Sequence, residues 1–195
     1  MNEDYIKYVK SKSTLRFLAG LMIRWKNHIS FQRRVKKARK KGAKIGEGVV
    51  IAPNVAKSAN NNLVIGNHST ISNSYLDLRN PITIGSHVII GGGNSIITTS
   101  HDVNSTTFAR KDYGIEIADY VWIASDAIIL PSCRKIGYGA VIGCGSVVVS
   151  NVEPMAIMSG NPAKKIKERQ RVHSVHDTEV NLGGDYLQYK QARKA

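Results

Sequence analysis

Cysteines, acids near the N-terminus and long apolar runs are what this 195-residue chain has least of. Two cysteines, Cys133 and Cys144, are too few for a disulfide framework and read as small apolar residues of a reducing cytosol. The longest apolar run of the leader, Phe17 to Ile23, is closed by Arg24. It falls well short of the roughly 18 to 20 residues that span a bilayer. The opening Met-Asn-Glu-Asp lacks the basic start of a secretory signal. A cytoplasmic protein is the expectation. Residues 1–44 hold fourteen Lys or Arg but only two acids, Glu3 and Asp4, whereas the remainder holds fourteen basic and twelve acidic side chains. Of the net charge of +14, the leader therefore carries +12 and the remainder only +2, so the basic character says little about the rest.

Within that leader, Leu15, Leu18, Met22, Trp25 and Ile29 follow helical spacing, which predicts an amphipathic helix over about residues 13–31, followed by a basic run from Arg33 to Lys44. The stripe could cap the open end of a repeat domain, where strand edges need cover. It could instead rest, with its basic surroundings, on an anionic membrane surface, so contact through residues 1–44 is a second expectation. No nucleic-acid motif accompanies the charge, and no nucleic acid is expected.

From Ala43 onward an isoleucine followed by a small residue recurs with a six-residue beat, as in Ile45-Gly46, Ile51-Ala52, Ile65-Gly66, Ile84-Gly85, Ile123-Ala124 and Ile142-Gly143. Six is neither a helical period nor simple alternation. It describes short strands joined by tight turns, each strand sending one aliphatic residue inward, and so a solenoid. Grouping the leading positions in threes gives 45, 51, 57; 65, 71, 77; 84, 90, 96; 117, 123, 129; and 136, 142, 148, or about five coils. Lys57 and Asp77 make the third corners of the first two coils irregular, and Ser58 to Asn62 reads as a small outward loop. The jump from Ile84 to Ile117 marks an insertion over residues 98–114. Excursions of that length from a rigid scaffold are commonly functional. After the last coil, Asn161 as cap and Pro162 as first helical residue predict a short basic helix. Three segments result: a helical leader (1–42), the repeat domain (43–160) and a basic helix with a polar tail (161–195). The tail from His173 onward has no clear period.

The hexads, the insertion with Thr99-Ser100-His101-Asp102, the stretches Ile117 to Ser125 and Ile142 to Val148, and the closing Gly160-Asn161-Pro162-Ala163-Lys164 together resemble the hexapeptide-repeat acyltransferases over about residues 43–170. The maltose, galactoside and nodulation-factor acetyltransferases look nearest. The resemblance implies a mainly β fold, a left-handed parallel β-helix of triangular section, an exception to the right-handed crossover rule. It also implies a homotrimer with active sites between subunits, acetyl-CoA as co-substrate, and no metal. The leader departs from those sugar acetyltransferases and looks more like that of O-acetyltransferases of bacterial surface polysaccharides. This puts a glycan acceptor first. A small free sugar or an antibiotic hydroxyl is the alternative.

Moving an acetyl group from a thioester to a sugar hydroxyl needs the hydroxyl proton removed, and imidazole suits that task near neutrality. His101 is the only histidine of the insertion and occupies the family's catalytic position, so it is expected to be the general base, acting without a covalent intermediate. Asp102 could orient its ring or merely lie exposed. By family position Ser125 and Cys144 line the pantetheine path, Val149 and Ser150 lie near the nucleotide end, and Lys164 and Lys167 meet the phosphates, for which ammonium groups are suited. Asn73, Asp77 and Trp122 are candidates for acceptor contact. His68 and His87 share a place in successive hexads and should stack at a turn, while His28 lies in the leader and His173 and His176 in the tail. A metal site like that of the γ-class carbonic anhydrases would need a pair of coil histidines five residues apart, which the chain lacks. A non-catalytic scaffold would have no use for His101.

Overall fold

Ile45, Ile65, Ile84, Ile117 and Ile136 lie above one another, each paired in register with the next along a parallel ladder. The computed structural model, which describes residues 3–173 and 182–195, builds the repeat domain from three such ladders. The first face holds β1 (Lys44–Ile45), β3 (Leu63–Ile65), β6 (Ile82–Ile84), β11 (Ile115–Ile117) and β14 (Lys135–Ile136). The second holds β2 (Val50–Ile51), β4 (Thr70–Ile71), β7 (Ile89–Ile90), β12 (Trp122–Ile123), β15 (Val141–Ile142) and β17 (Ala156–Gly160). The third holds β5 (Tyr75–Leu76), β8 (Ser95–Ile96), β13 (Ile128–Ile129) and β16 (Val147–Val148). This amounts to five coils and the start of a sixth, close to the five expected. The inward column of the second face, from Ile51 through Ile71, Ile90, Ile123 and Ile142 to Met158, is buried throughout. Burying each such side chain is worth about 1.5–3 kcal/mol, which is why a two-residue strand suffices when it repeats.

Both irregular corners have physical causes. The third side of the first coil is a helix, α3 (Pro53–Ser58), which buries Val55 and Ala56 and leaves Lys57 in solvent. In the second coil the residue pairing with Ile96 is Leu76, one position before the predicted 77. Asp77 is thereby freed from the column. One corner carries residues with positive φ, His68 (54°), His87 (57°) and Tyr120 (60°). Their rings stack at centroid distances of 5.3 and 4.8 Å. The expected histidine stack is present, and Tyr120 extends it.

The insertion is a hairpin of β9 (Thr99–His101) and β10 (Arg110–Asp112), with Arg110 opposite His101. The end of the domain corrects the sequence reading. Residues after Pro162 form β18 (Ala163–Glu168), antiparallel to β17, rather than a helix. Their backbone groups find partners on β17, itself the continuation of the second face, so the ladder outcompetes a local helix whose side chains would have had nothing to bury against. The short C-terminal helix lies further on, at Tyr186–Ala192 (α4).

The chain divides into two units, residues 34–176 and residues 1–33 with 177–195. The division falls at Arg33, inside a helix, rather than at residue 42, and the last residues group with the leader rather than with residues 161–173. In the smaller unit, Val9 of α1 (Glu3–Lys10) and Phe17 and Leu21 of α2 (Thr14–Lys40) pack with Tyr189 and Ala192 of α4. Asp185 is buried and bonded to the Arg24 guanidinium at 2.8 Å. The predicted stripe points elsewhere, for Leu15, Leu18, Met22 and Trp25 are all more than half exposed. A helix with two apolar faces satisfies the same period on either, and periodicity does not say which is covered. In the larger unit, the last turns of α2 put Val35 and Ala38 into the solenoid core. Arg39 donates to the Ile45 and Gly46 carbonyls at 2.7–3.1 Å. End-capping thus falls to residues beyond the stripe.

Candidate active site

His101 Nδ1 lies 2.8 Å from the Phe108 carbonyl oxygen. A carbonyl can only accept, so Nδ1 is the donor here, and in the neutral ring the lone pair then sits on Nε2, the tautomer a general base requires. The Phe108 ring covers the imidazole face to face, with centroids 4.3 Å apart and planes within 9°. Phe108 reaches this position at φ 50°, a left-handed conformation that turns its carbonyl back toward the histidine. The loop is closed by the Asp102 N–H on the Ala109 carbonyl and the Phe108 N–H on the Ser105 carbonyl. Asp102 does not hold the ring. Its carboxylate faces Lys111 at 3.0 Å and accepts the Asn104 N–H. The Lys111 ammonium and that N–H hold it below the usual carboxylate range. The orienting group is a backbone carbonyl, which no side-chain motif announces.

At its root the hairpin is tied to the second coil. The Asp77 carboxylate accepts from Arg79 Nε (2.6 Å) and Nη2 (2.9 Å), from the Thr98 N–H (3.1 Å) and from the Thr99 hydroxyl (2.9 Å). Burial alone would raise its pKa, but these donors outweigh burial and hold it well below the ordinary range. Only 2% exposed and saturated with donors, Asp77 offers no face to an acceptor. That expectation is corrected. Asn73 instead lines a cavity of about 420 Å³ with Asn54, Ser58, Tyr75, Asn94 and Ser95, all uncharged.

Asn73, Ser125 and Cys144, distant in sequence, share one corner of the solenoid. The Gly93 N–H bonds the Asn73 carbonyl, the Asp126 N–H the Gly92 carbonyl, and the Gly145 N–H the Ser125 carbonyl, so successive coils stack these turns. The corner is lined by backbone. A Cβ at Gly91 would come within 2.9 Å of the Ser125 nitrogen, whereas one at Gly92 or Gly145 would meet nothing. The corner is open at Gly92 and Gly145, while Gly91 and Gly93 lie against Ser125 and the Asp126 carboxylate, and spacing alone passed over this glycine run. Cys144 is exposed, and Val149 and Ser150 lie exposed past β16. Lys164 pairs with Ser159, whose side chain lies against Gly143, so β18 brings the Lys164 backbone position to the strand next to the same corner, while Lys167 sits opposite Ile157. Lys165 is paired with Glu153 and Glu168, but Lys164 and Lys167 have no carboxylate partner among the described residues. Trp122 stands 46% exposed on the second face, flanked by Ile89 and Val141. His173 lies edge-on to Tyr120 at 5.4 Å, and His176 falls outside the described residues. Among the described residues no three His, Cys, Asp or Glu side chains converge as metal ligands would.

No family model matches the chain. It is 33% identical over 146 residues to the acetyltransferase WcaF of Escherichia coli K12, assigned to colanic acid biosynthesis, covering 74% of this chain and 80% of that one. The chain belongs to the hexapeptide-repeat O-acetyltransferases. Its solenoid is the left-handed parallel β-helix of that family, as two solved structures show. A hexapeptide-repeat acetyltransferase of Vibrio cholerae complexed with acetyl-CoA matches with a TM-score of 0.63 at 25% identity, covering 82% of this chain and 92% of that one. Galactoside acetyltransferase in complex with coenzyme A matches with a TM-score of 0.59 at 25% identity, covering 86% and 84%.

Proposed function

We propose that this acetyltransferase moves the acetyl group of acetyl-CoA to a sugar hydroxyl of a bacterial surface polysaccharide or its precursor, with His101 Nε2 as general base. The observation that carries the reading is the Nδ1–H to Phe108 carbonyl bond, which in the neutral ring assigns the lone pair to Nε2. The corner left open at Gly92 and Gly145, beside Ser125 and Cys144, suits a pantetheine arm, to which backbone amides would bond, and Lys164 and Lys167 suit the phosphates. The uncharged cavity beside Asn73 suits a polyhydroxy ring. The assignment of WcaF to colanic acid biosynthesis supports a glycan acceptor over a drug hydroxyl. The exposed apolar side chains of Trp122, Ile128 and Val149 fit walls covered in the family's trimer. An acceptor screen with labelled acetyl-CoA is expected to acetylate nucleotide- or lipid-linked sugars and oligosaccharide repeat units well above chloramphenicol. Preference for chloramphenicol would overturn the acceptor class while leaving the transferase reading intact.

The leader supports a second part of this reading, residence at the cytoplasmic face of the inner membrane. No helix among the described residues is long and apolar enough to cross a membrane. The exposed Leu15, Leu18, Met22 and Trp25, with Arg16 and Lys26 also exposed, instead suit burial at an anionic interface. Flotation with phosphatidylglycerol vesicles should be lost in a Leu18→Glu, Met22→Glu variant and should weaken in high salt. Equal flotation of that variant would remove the membrane from the proposal.

A further inference from the structure

Asp77 stands where the next coils carry Ile97 and Leu130, since its N–H bonds the Ile96 carbonyl and the Ile97 N–H bonds the Ile129 carbonyl in the same ladder. A carboxylate at such a buried position costs stability unless every lone pair is engaged. The groups that engage it lie on either side of the catalytic insertion's root. Thr98 and Thr99, the residues through which the chain leaves the solenoid toward His101, supply an N–H and a hydroxyl, and the Thr98 hydroxyl returns a bond of 2.7 Å to the Asp77 carbonyl. Arg79 closes the remaining positions as a fork. Next along the chain, Asn80 Nδ2 donates to the Thr98 carbonyl at 3.1 Å and to Asp112 on the returning strand at 2.9 Å. The tip of the hairpin has no comparable fixing. Its Asp102–Lys111 pair is solvent-exposed and internal to the hairpin, so it sets the hairpin's shape and not its aim.

We propose that Asp77 is a positioning residue for acetyl transfer, whose buried carboxylate, clamped by Arg79, aims the His101 hairpin from its root at Thr98 and Thr99. This rests on the reading of His101 as the base. Displacing a catalytic group by about 1 Å can cost about a hundredfold in rate, so a clamp two residues away acts on turnover more than on binding. Asp77 does not meet the substrate in this reading, which separates it from the acceptor-contact role its sequence position suggested.

The test is a cycle of substitutions read in kcat and in KM for acetyl-CoA. Asp77→Asn keeps the shape but removes the charge and one acceptor. Thr99→Val removes a single hydroxyl at a partly exposed site and leaves folding intact. Asp77→Asn is expected to lower kcat about 10- to 100-fold and Thr99→Val about threefold to tenfold, with KM for acetyl-CoA within about twofold. Made in a His101→Ala background, either change should have little further effect, because groups that act through one another are not additive. Equal losses with and without His101 would show a general structural role and overturn the proposal, as would wild-type kcat in Thr99→Val. A fully active His101→Ala enzyme would sink the base assignment itself, and the cycle then shows it in its first member.

Discussion

His101→Ala and His101→Asn should each lower kcat by about 10²- to 10⁴-fold, the usual worth of a positioned general base, while KM for acetyl-CoA stays within a few-fold. Thiol release from acetyl-CoA in the presence of an acceptor measures both. The two variants differ informatively, because asparagine can still donate to the Phe108 carbonyl and fill the space under the Phe108 ring but cannot take a proton. If loop order rather than proton transfer were at stake, Asn would recover most of the rate. Wild-type turnover in either variant would end the mechanism.

The same geometry fixes the sign of the pH dependence. Protonation of Nε2 removes the lone pair that the acceptor hydroxyl needs, so kcat/KM falls on the acid side in the wild type, and the residual rate of His101→Ala should lack that limb. Asp77 does not compete for this assignment. Its folded pKa is depressed, so its contribution is fully present above the unfolded value of about 3.9 and is lost only as the pH falls below it. Asp77 therefore contributes no acid limb above about pH 5.

The repeat domain was legible because one physical rule, an inward aliphatic every six residues, generates all three ladders. Its failures were equally physical. Position 77 read as a corner aliphatic slot occupied by an acid, and only the ladder shows Leu76 filling the column while Asp77 turns to the hairpin. Asn161-Pro162 read as a helix start because local chemistry permits it, but the unpaired edge of the last coil recruits β18. In the leader the period was right, but the stripe it marks stays exposed, and the face that packs, with Phe17 and Leu21, is covered partly by α4, which lies about 170 residues further along the chain. At the candidate site the sequence offered the histidine but not the Phe108 carbonyl that sets its tautomer, because every residue has such a carbonyl. Ser125 and Cys144 came from family positions, and Asn73 from lying near an acceptor-binding position of the family that this chain does not match. Their meeting at one glycine-lined corner follows from coil stacking.

Reversing both cations that lack a carboxylate partner among the described residues, Lys164→Glu with Lys167→Glu, should raise KM for acetyl-CoA by about 10²-fold or more, since a hydrogen bond to a charged group is worth about 1.5–3 kcal/mol and the reversal adds repulsion. Turnover at saturating donor should change little, because these side chains lie on β18 and not on the His101 hairpin. Lys165→Glu is the internal control. It sits between the two on the same strand, but its ammonium already faces Glu153 and Glu168 at 3.3 and 3.6 Å, so its removal takes little from a phosphate. A basic strand acting only through diffuse charge would respond alike to all three positions and lose its effect within the Debye length of moderate salt. Direct phosphate contact predicts instead that Lys164 and Lys167 dominate and that dephospho-CoA acetyl thioester, which lacks the terminal phosphate, narrows the gap between wild type and the double variant. Equal KM values for the Lys165 control and the double variant would reject the phosphate site and leave β18 as a solvated edge.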